Sequence, residues 1–368
     1  MHKYNKGAVS IFVVIFTALL VTVVTVSFMR LMIRDQQQAT DSDLSQSAYD
    51  AALAGVEDAK RALTRYDAST DGDLGRCNQI AVVLGRPNTD PVGVGSSQLQ
   101  QSYTCVQVQL DTPDYRKALK ADETQLIPLR ATGEFNQVKI EWFDQDDSET
   151  VTLQEGSSSG SSISLDPRAS WPSTRPPVLE TQLMQTNRTF SLSEFDNTSG
   201  DKSNANTLFL YPKARSTATT YSFTEDIRRD KDSDAPVEAQ CKTDIHTGTP
   251  YACVTTLNIP DPRGSGTTQR NDDTAYLRLT ARYNKANVKI TLLRTNNTGT
   301  TTTVDFDGVQ PLVDSTGKAN DLFRRVRARI EPAGGVYPEA AVDMTSSFCK
   351  TFRVTDRTTD YSVGECIP

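Results

Sequence analysis

The sequence predicts an α+β protein: one long N-terminal helix, membrane-spanning in its first half and amphipathic in its second, followed by a β-rich, sandwich-like head with local disulfides. Three observations lead there. Ala8 to Met29 is an unbroken apolar run (AVSIFVVIFTALLVTVVTVSFM) with no charge until Arg30. The polar stretch behind it keeps apolar residues at helical spacing and contains no proline. Beyond Cys77 the pattern shifts to alternation of apolar and polar residues, the period of a strand with one buried face.

The apolar run comes first. At a rise of 1.5 Å per residue it reaches roughly 30 Å, the thickness of a bilayer core. His2, Lys3 and Lys6 precede it, which favours an N-terminus in the cytoplasm. No A-x-A-like cleavage site closes the run, so it does not read as a secretory signal removed after its apolar region. The expectation is a single-pass protein of the cytoplasmic membrane, with the rest of the chain outside the cytoplasm. The assembly helix is placed at 8–34 and its amphipathic extension at 35–68.

The extension, RLMIRDQQQATDSDLSQSAYDAALAGVEDAKRALTRYDAS, is rich in good helix formers. Leu44, Ala48, Ala52, Val56, Ala59 and Leu63 fall on one helical stripe. Asp50, Glu57, Asp58, Lys60 and Arg61 fall on the other faces, and Gly55 is read as a close-packing point. Span and extension together predict a helix of about 55–60 residues, roughly 85 Å long. The turn-rich DASTDGDLG, Asp67 to Gly75, stops it.

The head, 69–368, follows. Val138, Ile140 and Trp142 share one face of a strand, with Lys139 and Glu141 on the other. Leu277, Leu279, Ala281 and Tyr283 alternate likewise, and Asn284 to Asn287 reads as a turn into Val288, Ile290 and Leu292, which predicts a hairpin. Val326, Ala328 and Ile330 alternate with Arg325, Arg327 and Arg329. That basic face is read as solvated or paired with acids rather than as a phosphate site. Shorter strands are expected at Tyr103–Leu110, Leu179–Met184, Thr207–Tyr211, Ala252–Leu257, Thr302–Phe306 and Thr351–Val354. Leu126–Arg130 is confined to an edge by Pro128. The low-complexity Gly156–Ser164 and the prolines at 172, 176 and 177 make the region near 156–177 either a domain linker or a surface loop within one sandwich, the loop being preferred because each half alone has few strands.

Composition limits the chemistry. A net charge of −7 argues against nucleic acid as the main partner, since phosphate binding needs a basic face. All six cysteines, Cys77, Cys105, Cys241, Cys253, Cys349 and Cys366, follow the span. In an exported head an even count favours disulfides. Six cysteines allow fifteen pairings, and the simplest is three local couples: Cys77–Cys105, Cys241–Cys253 and Cys349–Cys366. Zinc is disfavoured: no couple has C-x-x-C spacing, and the histidines are His2 and His246 alone. There is no G-x-S-x-G, Walker A or H-E-x-x-H. Asp230, Asp232 and Asp234 open like a calcium loop, but Ala235 stands where glycine is needed and Cys241 where the closing glutamate belongs. The acidic run Asp144–Glu149 reads as a solvated loop, and Asn187-Arg188-Thr189 and Asn296-Asn297-Thr298 fit the glycan sequon. No catalytic residue, metal site or cofactor is expected.

The N-terminus carries a resemblance. A short basic leader ending in Gly7, then Ala8, then an apolar run passing into a polar helix, resembles the class III signal of type IV pilins and pseudopilins. The stretch from Gly7 to Leu63, with its Tyr-Asp-Ala-Ala-Leu-Ala-Gly-Val-Glu core, is most similar to the PilX-type N-terminal region of minor pilins. It covers under a fifth of the chain. The resemblance implies a leader, 1–7, cut between Gly7 and Ala8 by a prepilin peptidase that methylates the new amine. It implies partners: other pilin subunits through the helix, and the pilus assembly machinery in the membrane. Most major pilins carry glutamate where Phe12 stands here, so the resemblance points to a minor subunit, tip or shaft being open. Ser10, Thr17, Ala18, Thr22, Thr25 and Ser27 would allow close helix approach and interhelix hydrogen bonds. Cys349–Cys366 is reminiscent of the disulfide-bounded loop near pilin C-termini. The rival expectation is a signal-anchored surface protein, ligand-binding or enzymatic, that never enters a filament.

Overall fold

A single helix, α1 (Ala8–Leu63), accounts for 56 residues. The computed structural model of the chain describes residues 8–77, 79–87, 91–94, 100–153, 167–185, 207–222, 237–243, 250–259 and 275–331. At 1.5 Å per residue α1 is about 84 Å long. It ends short of residue 68, because Asp67 closes a tight turn. Its carboxylate accepts the amide and hydroxyl of Ser69, while Asp71 accepts the amide of Asp67.

The rest is β-rich. In chain order come α2 (Gln79–Val83), β1 (Val92–Gly93), β2 (Ser102–Gln109), β3 (Tyr115–Leu119), β4 (Thr124–Pro128), β5 (Gln137–Asp144), β6 (Val178–Gln185), β7 (Thr207–Ala214) and β8 (Thr220–Ser222). Then follow β9 (Val237–Cys241), β10 (Tyr251–Asn258), β11 (Ala275–Arg282), β12 (Ala286–Thr295), β13 (Thr301–Val304), β14 (Leu312–Ala319) and β15 (Leu322–Arg329). The α+β reading therefore stands.

Two sheets divide the work. The smaller has the order β1-β2-β14-β15 and is antiparallel throughout. It lies against the second half of α1. Ala48, Ala52, Val56 and Ala59 are buried as the stripe expects, with Leu44 and Leu63 half-buried. A second row, Ala51, Gly55, Asp58 and Ala62, is buried with them. The contact is close because both surfaces are small. Gly55 faces Ser315, Val106 and Tyr103. Gly317 sits directly on the backbone of Ala48 and Ala52, so that a methyl there would overlap the Ala48 carbonyl and the Ala52 amide. The ladder between β14 and β2 shifts register at Ser315/Gly317, where this approach occurs.

The larger sheet has eleven strands in the order β13-β12-β5-β10-β9-β7-β6-β11-β4, with β3 added to β12 and β8 to β10. It folds back so that one core runs from Tyr115 to Val309, with Trp142, Phe143 and Phe306 among its fully buried members. Strands on both sides of 156–177 belong to it, so that region links strands of one sheet. The chain enters this sandwich after β2 and returns to the small sheet at β14, so the sandwich is inserted between two neighbouring strands of the small sheet.

The expected hairpin is corrected. The strands over Ala275–Arg282 and Ala286–Thr295 form, but they do not pair with each other: β11 pairs with β6 and β4, β12 with β5, β3 and β13. The three-residue link crosses the sandwich instead. Tyr283 takes a left-handed φ of 77° and stacks on Trp171 at 4.6 Å between ring centres. Asn284 donates to the carbonyls of Ser173 and Arg175, each at 2.9 Å, which fixes the crossing. Pro128 does lie on an edge strand, β4. The expected strand Thr351–Val354 lies outside the described residues.

Candidate functional site

The first half of α1 stands clear of the head. Every described side chain from Ile11 to Asp43 is exposed, including Phe12 at 73 % and Phe16 at 68 %. This helix is long and apolar enough to cross a membrane. An apolar cylinder in water is unfavourable at about 25 cal/mol for each Å² exposed, so it needs lipid or another protein around it.

Its hydroxyls are already engaged. Thr17 donates to the Val13 carbonyl at 2.9 Å, Thr22 to Leu19, Thr25 to Val21 and Ser27 to Val23, each of these at 2.8 Å. Each donor is thus satisfied within its own helix, as an apolar surrounding requires. What the hydroxyls still offer a neighbour is small size and lone pairs to accept with. Ala18 belongs to the same exposed surface, and the helix backbone runs through Ser10. Phe12 lies on the helix with no acidic side chain in its place, and Ala8 is the helix's first described residue. Gly7 lies outside the described residues.

At the other end, the head grips α1 through a buried carboxylate that the sequence placed off the apolar stripe, with the charged residues of the other faces. Asp58 is buried and accepts from the Tyr103 hydroxyl at 2.7 Å, from Arg86 at 2.6 Å and from Arg61 at 3.3 Å. Burial, then the Asp58 carboxylate, hold the Tyr103 phenol well above its usual range. Three parts of the fold meet there: the helix, the 64–94 connection and β2. Cys77–Cys105 ties the same connection to β2, and Cys241–Cys253 joins directly opposed residues of β9 and β10. Both couples match the local pairing. Cys349 and Cys366 lie outside the described residues.

A second polar network marks the seam between small sheet and sandwich. Buried Asp114 binds Arg116 at 2.9 Å on one oxygen and Arg329 on the other. Buried Gln310 accepts from the Arg116 amide at 2.9 Å and donates to its carbonyl at 2.8 Å. Tyr115 donates to Glu331 at 2.6 Å, and Lys117 lies 3.1 Å from both Glu331 oxygens. Burial first, then Glu331, raise the Tyr115 phenol. The arginine face of β15 is paired with acids, as expected: Arg325 and Arg327 lie on Asp314, and Arg329 on Asp114.

The acidic loop is solvated at Gln145, Asp146 and Glu149, as expected, and pinned at Asp144 and Asp147. Asp147 accepts the Asn287 amide at 2.6 Å, and Asp144 accepts the Asn287 side-chain amide at 2.9 Å. Among the described residues no group of three or more His, Cys, Asp or Glu side chains is placed to hold a metal. His246 and Asp230, Asp232 and Asp234 lie outside them. Asn296 spends its side-chain oxygen on Thr298 and Thr300 within its own turn.

Comparison with models of known protein families, with curated proteins and with solved structures finds no match.

Proposed function

We propose that this chain is a minor structural subunit of a type IV pilus or related filament, assembled through its N-terminal helix and non-enzymatic. The observation that carries the reading is the continuity of α1, whose first half is apolar on all sides and unpacked, and whose second half is the spine of the head. A simple tether needs only the apolar part. A filament subunit needs a rigid coupling, so that packing of the helices fixes the position of each head. In the membrane the apolar half lies in lipid, with its N-terminus in the cytoplasm. In the fibre it exchanges lipid for helix packing, where small and hydroxyl side chains permit close approach.

Phe12 supports the reading as a minor subunit. A glutamate at that position would carry a charge that lipid tolerates only when paired. Phe12 needs no such partner and offers none to a neighbour's amine. The inserted sandwich, carried above the small sheet, is the part offered outward for adhesion.

Mass spectrometry of the native protein tests the reading. The expected first residue is N-methylated Ala8, and Gly7→Val blocks processing. An intact Met1 returns the chain to the class of signal-anchored surface proteins. Recovery of the protein in sheared, purified pili is the second expected outcome.

A further inference from the structure

The seam holds an open groove of about 460 Å³, lined by four cations, Lys60, Arg116, Lys117 and Arg329, against one carboxylate, Glu331. That volume lies in the range of small-ligand sites. The concentration of positive charge is notable in a chain of net charge −7. It is also built rather than incidental. The acid that neutralises two of these cations, Asp114, is buried behind the groove, and Gln310, buried beside it, fixes Arg116 through its backbone and Arg329 through its side chain. The two guanidinium groups are therefore held in place before any ligand arrives, which lowers the ordering cost of binding.

Donors are left over. Arg116 uses Nε and Nη2 on Asp114, at 3.1 and 2.9 Å, which leaves Nη1 without an acceptor among the described residues. Lys60 gives one of its three protons to Glu57 and has two to spare. Lys117 meets Glu331 and keeps one. Two elements supply them: α1 and β3. Unused N–H groups from separate elements converging on one concave surface suit an acceptor with several oxygens and negative charge.

We propose that this groove binds an oxyanion group, a carboxylate or a sulfate, on a ligand of small-molecule size. The inference does not depend on the filament reading, since it uses only the head and the half of α1 packed against it.

Calorimetric titration of the full chain in detergent tests it, with sodium sulfate and sodium glucuronate as probes and sodium chloride at matched ionic strength as the control. The expected result is saturable binding of one or both probes, and their ratio says whether the planar or the tetrahedral anion fits. Arg116→Gln with Lys117→Gln should weaken it at least tenfold. Lys60→Gln, an exposed change on the helix outside the seam network, should weaken it severalfold without touching the fold. Arg325→Gln with Arg327→Gln, which share the arginine face of β15 and pair with Asp314 but do not line the groove, should leave it unchanged. Absence of saturable heat with both probes overturns the proposal, as does equal binding by wild type and the Lys60 variant. Self-association that the Arg116 and Lys117 changes abolish, with no probe binding, also overturns it and assigns the groove to a contact between copies.

Discussion

The two halves of α1 are one helix with opposite uses of apolar surface. The first half carries Phe, Ile, Leu and Val on every side and buries none of them. The second half is far less hydrophobic, yet Ala48, Ala52, Ala59 and Ala62 are fully buried. Hydrophobicity alone does not say which segment belongs to the core. What the second half has is a smooth face of alanine and glycine, which lets a sheet approach to backbone contact. What the first half has is bulk, which a sheet would hold at a distance and which lipid or neighbouring helices can surround.

The sharpest way to break this comparison is at the point of closest approach. Gly317→Ala puts a methyl into the backbone of Ala48 and Ala52, neither of which can swing aside. We expect a loss of about 3 kcal/mol or more, read as a fall in the denaturation midpoint of the detergent-solubilised chain. Phe16→Ala, removing far more apolar surface from the exposed half, should leave that midpoint in place. Equal effects would show that the two halves are not energetically distinct.

The next effect comes from the connection that leaves the packed half. Cys77 and Cys105 are 28 residues apart, and Cys241 and Cys253 are 12 apart. The chain-entropy model assigns the longer loop about 3.5 kcal/mol and the shorter about 3 kcal/mol. Replacing Cys77 and Cys105 by Ser should therefore lower stability somewhat more than replacing the second couple. It should also loosen hydrogen-exchange protection at Asp58 and its neighbours first, because the 64–94 connection carries Arg86 onto that carboxylate.

Asp58→Asn removes the charge but keeps the shape, and we expect a cost of about 2 kcal/mol from weakened bonds to Arg86 and Tyr103. It has a second readout. The Tyr103 phenol is raised from 10.0 by burial first and by Asp58 second. A raised value means that the folded state keeps the proton longer than the unfolded one. This contribution to stability is therefore complete below pH 10.0 and is lost as pH climbs through the higher folded value. In Asp58→Asn the phenolate should appear at lower pH in an ultraviolet titration. An unchanged onset would mean that Asp58 does not act on Tyr103.

Much of this was legible in the chain. The helix, its stripe, the close-packing role of Gly55 and two disulfide couples follow from spacing. The basic face of β15 was read correctly because alternating Arg residues have few other uses. The misses have physical causes. β14 reads Leu-Val-Asp-Ser-Thr-Gly-Lys-Ala and gives a weak strand signal, because beyond Val313 its buried positions are Ser315, Gly317 and Ala319, small residues that let the helix approach. The burial of Asp58 was not foreseen, because a carboxylate in sequence carries no sign of the tyrosine and arginine that will enclose it. The link after Arg282 looked like a hairpin turn because three residues can serve either a hairpin or an arch. Contacts with Trp171 and Ser173, over a hundred residues away, decide between them.

The smallest effect lies in the exposed half and concerns its hydroxyls. Thr22 and Thr25 donate to Leu19 and Val21 of their own helix, so neither awaits a donor's partner from outside. Valine matches threonine in shape and lacks the hydroxyl. Thr22→Val with Thr25→Val should change the stability of the head by less than about 0.5 kcal/mol, because nothing in the head touches these positions. Its effect belongs to association alone. If neighbours accept or donate through these hydroxyls, incorporation of the variant into sheared filaments should fall while its melting behaviour stays the same. If the helix face works through size and shape, incorporation should be unchanged, and Ala18→Leu, which adds bulk on the same exposed surface, should be the change that excludes the subunit.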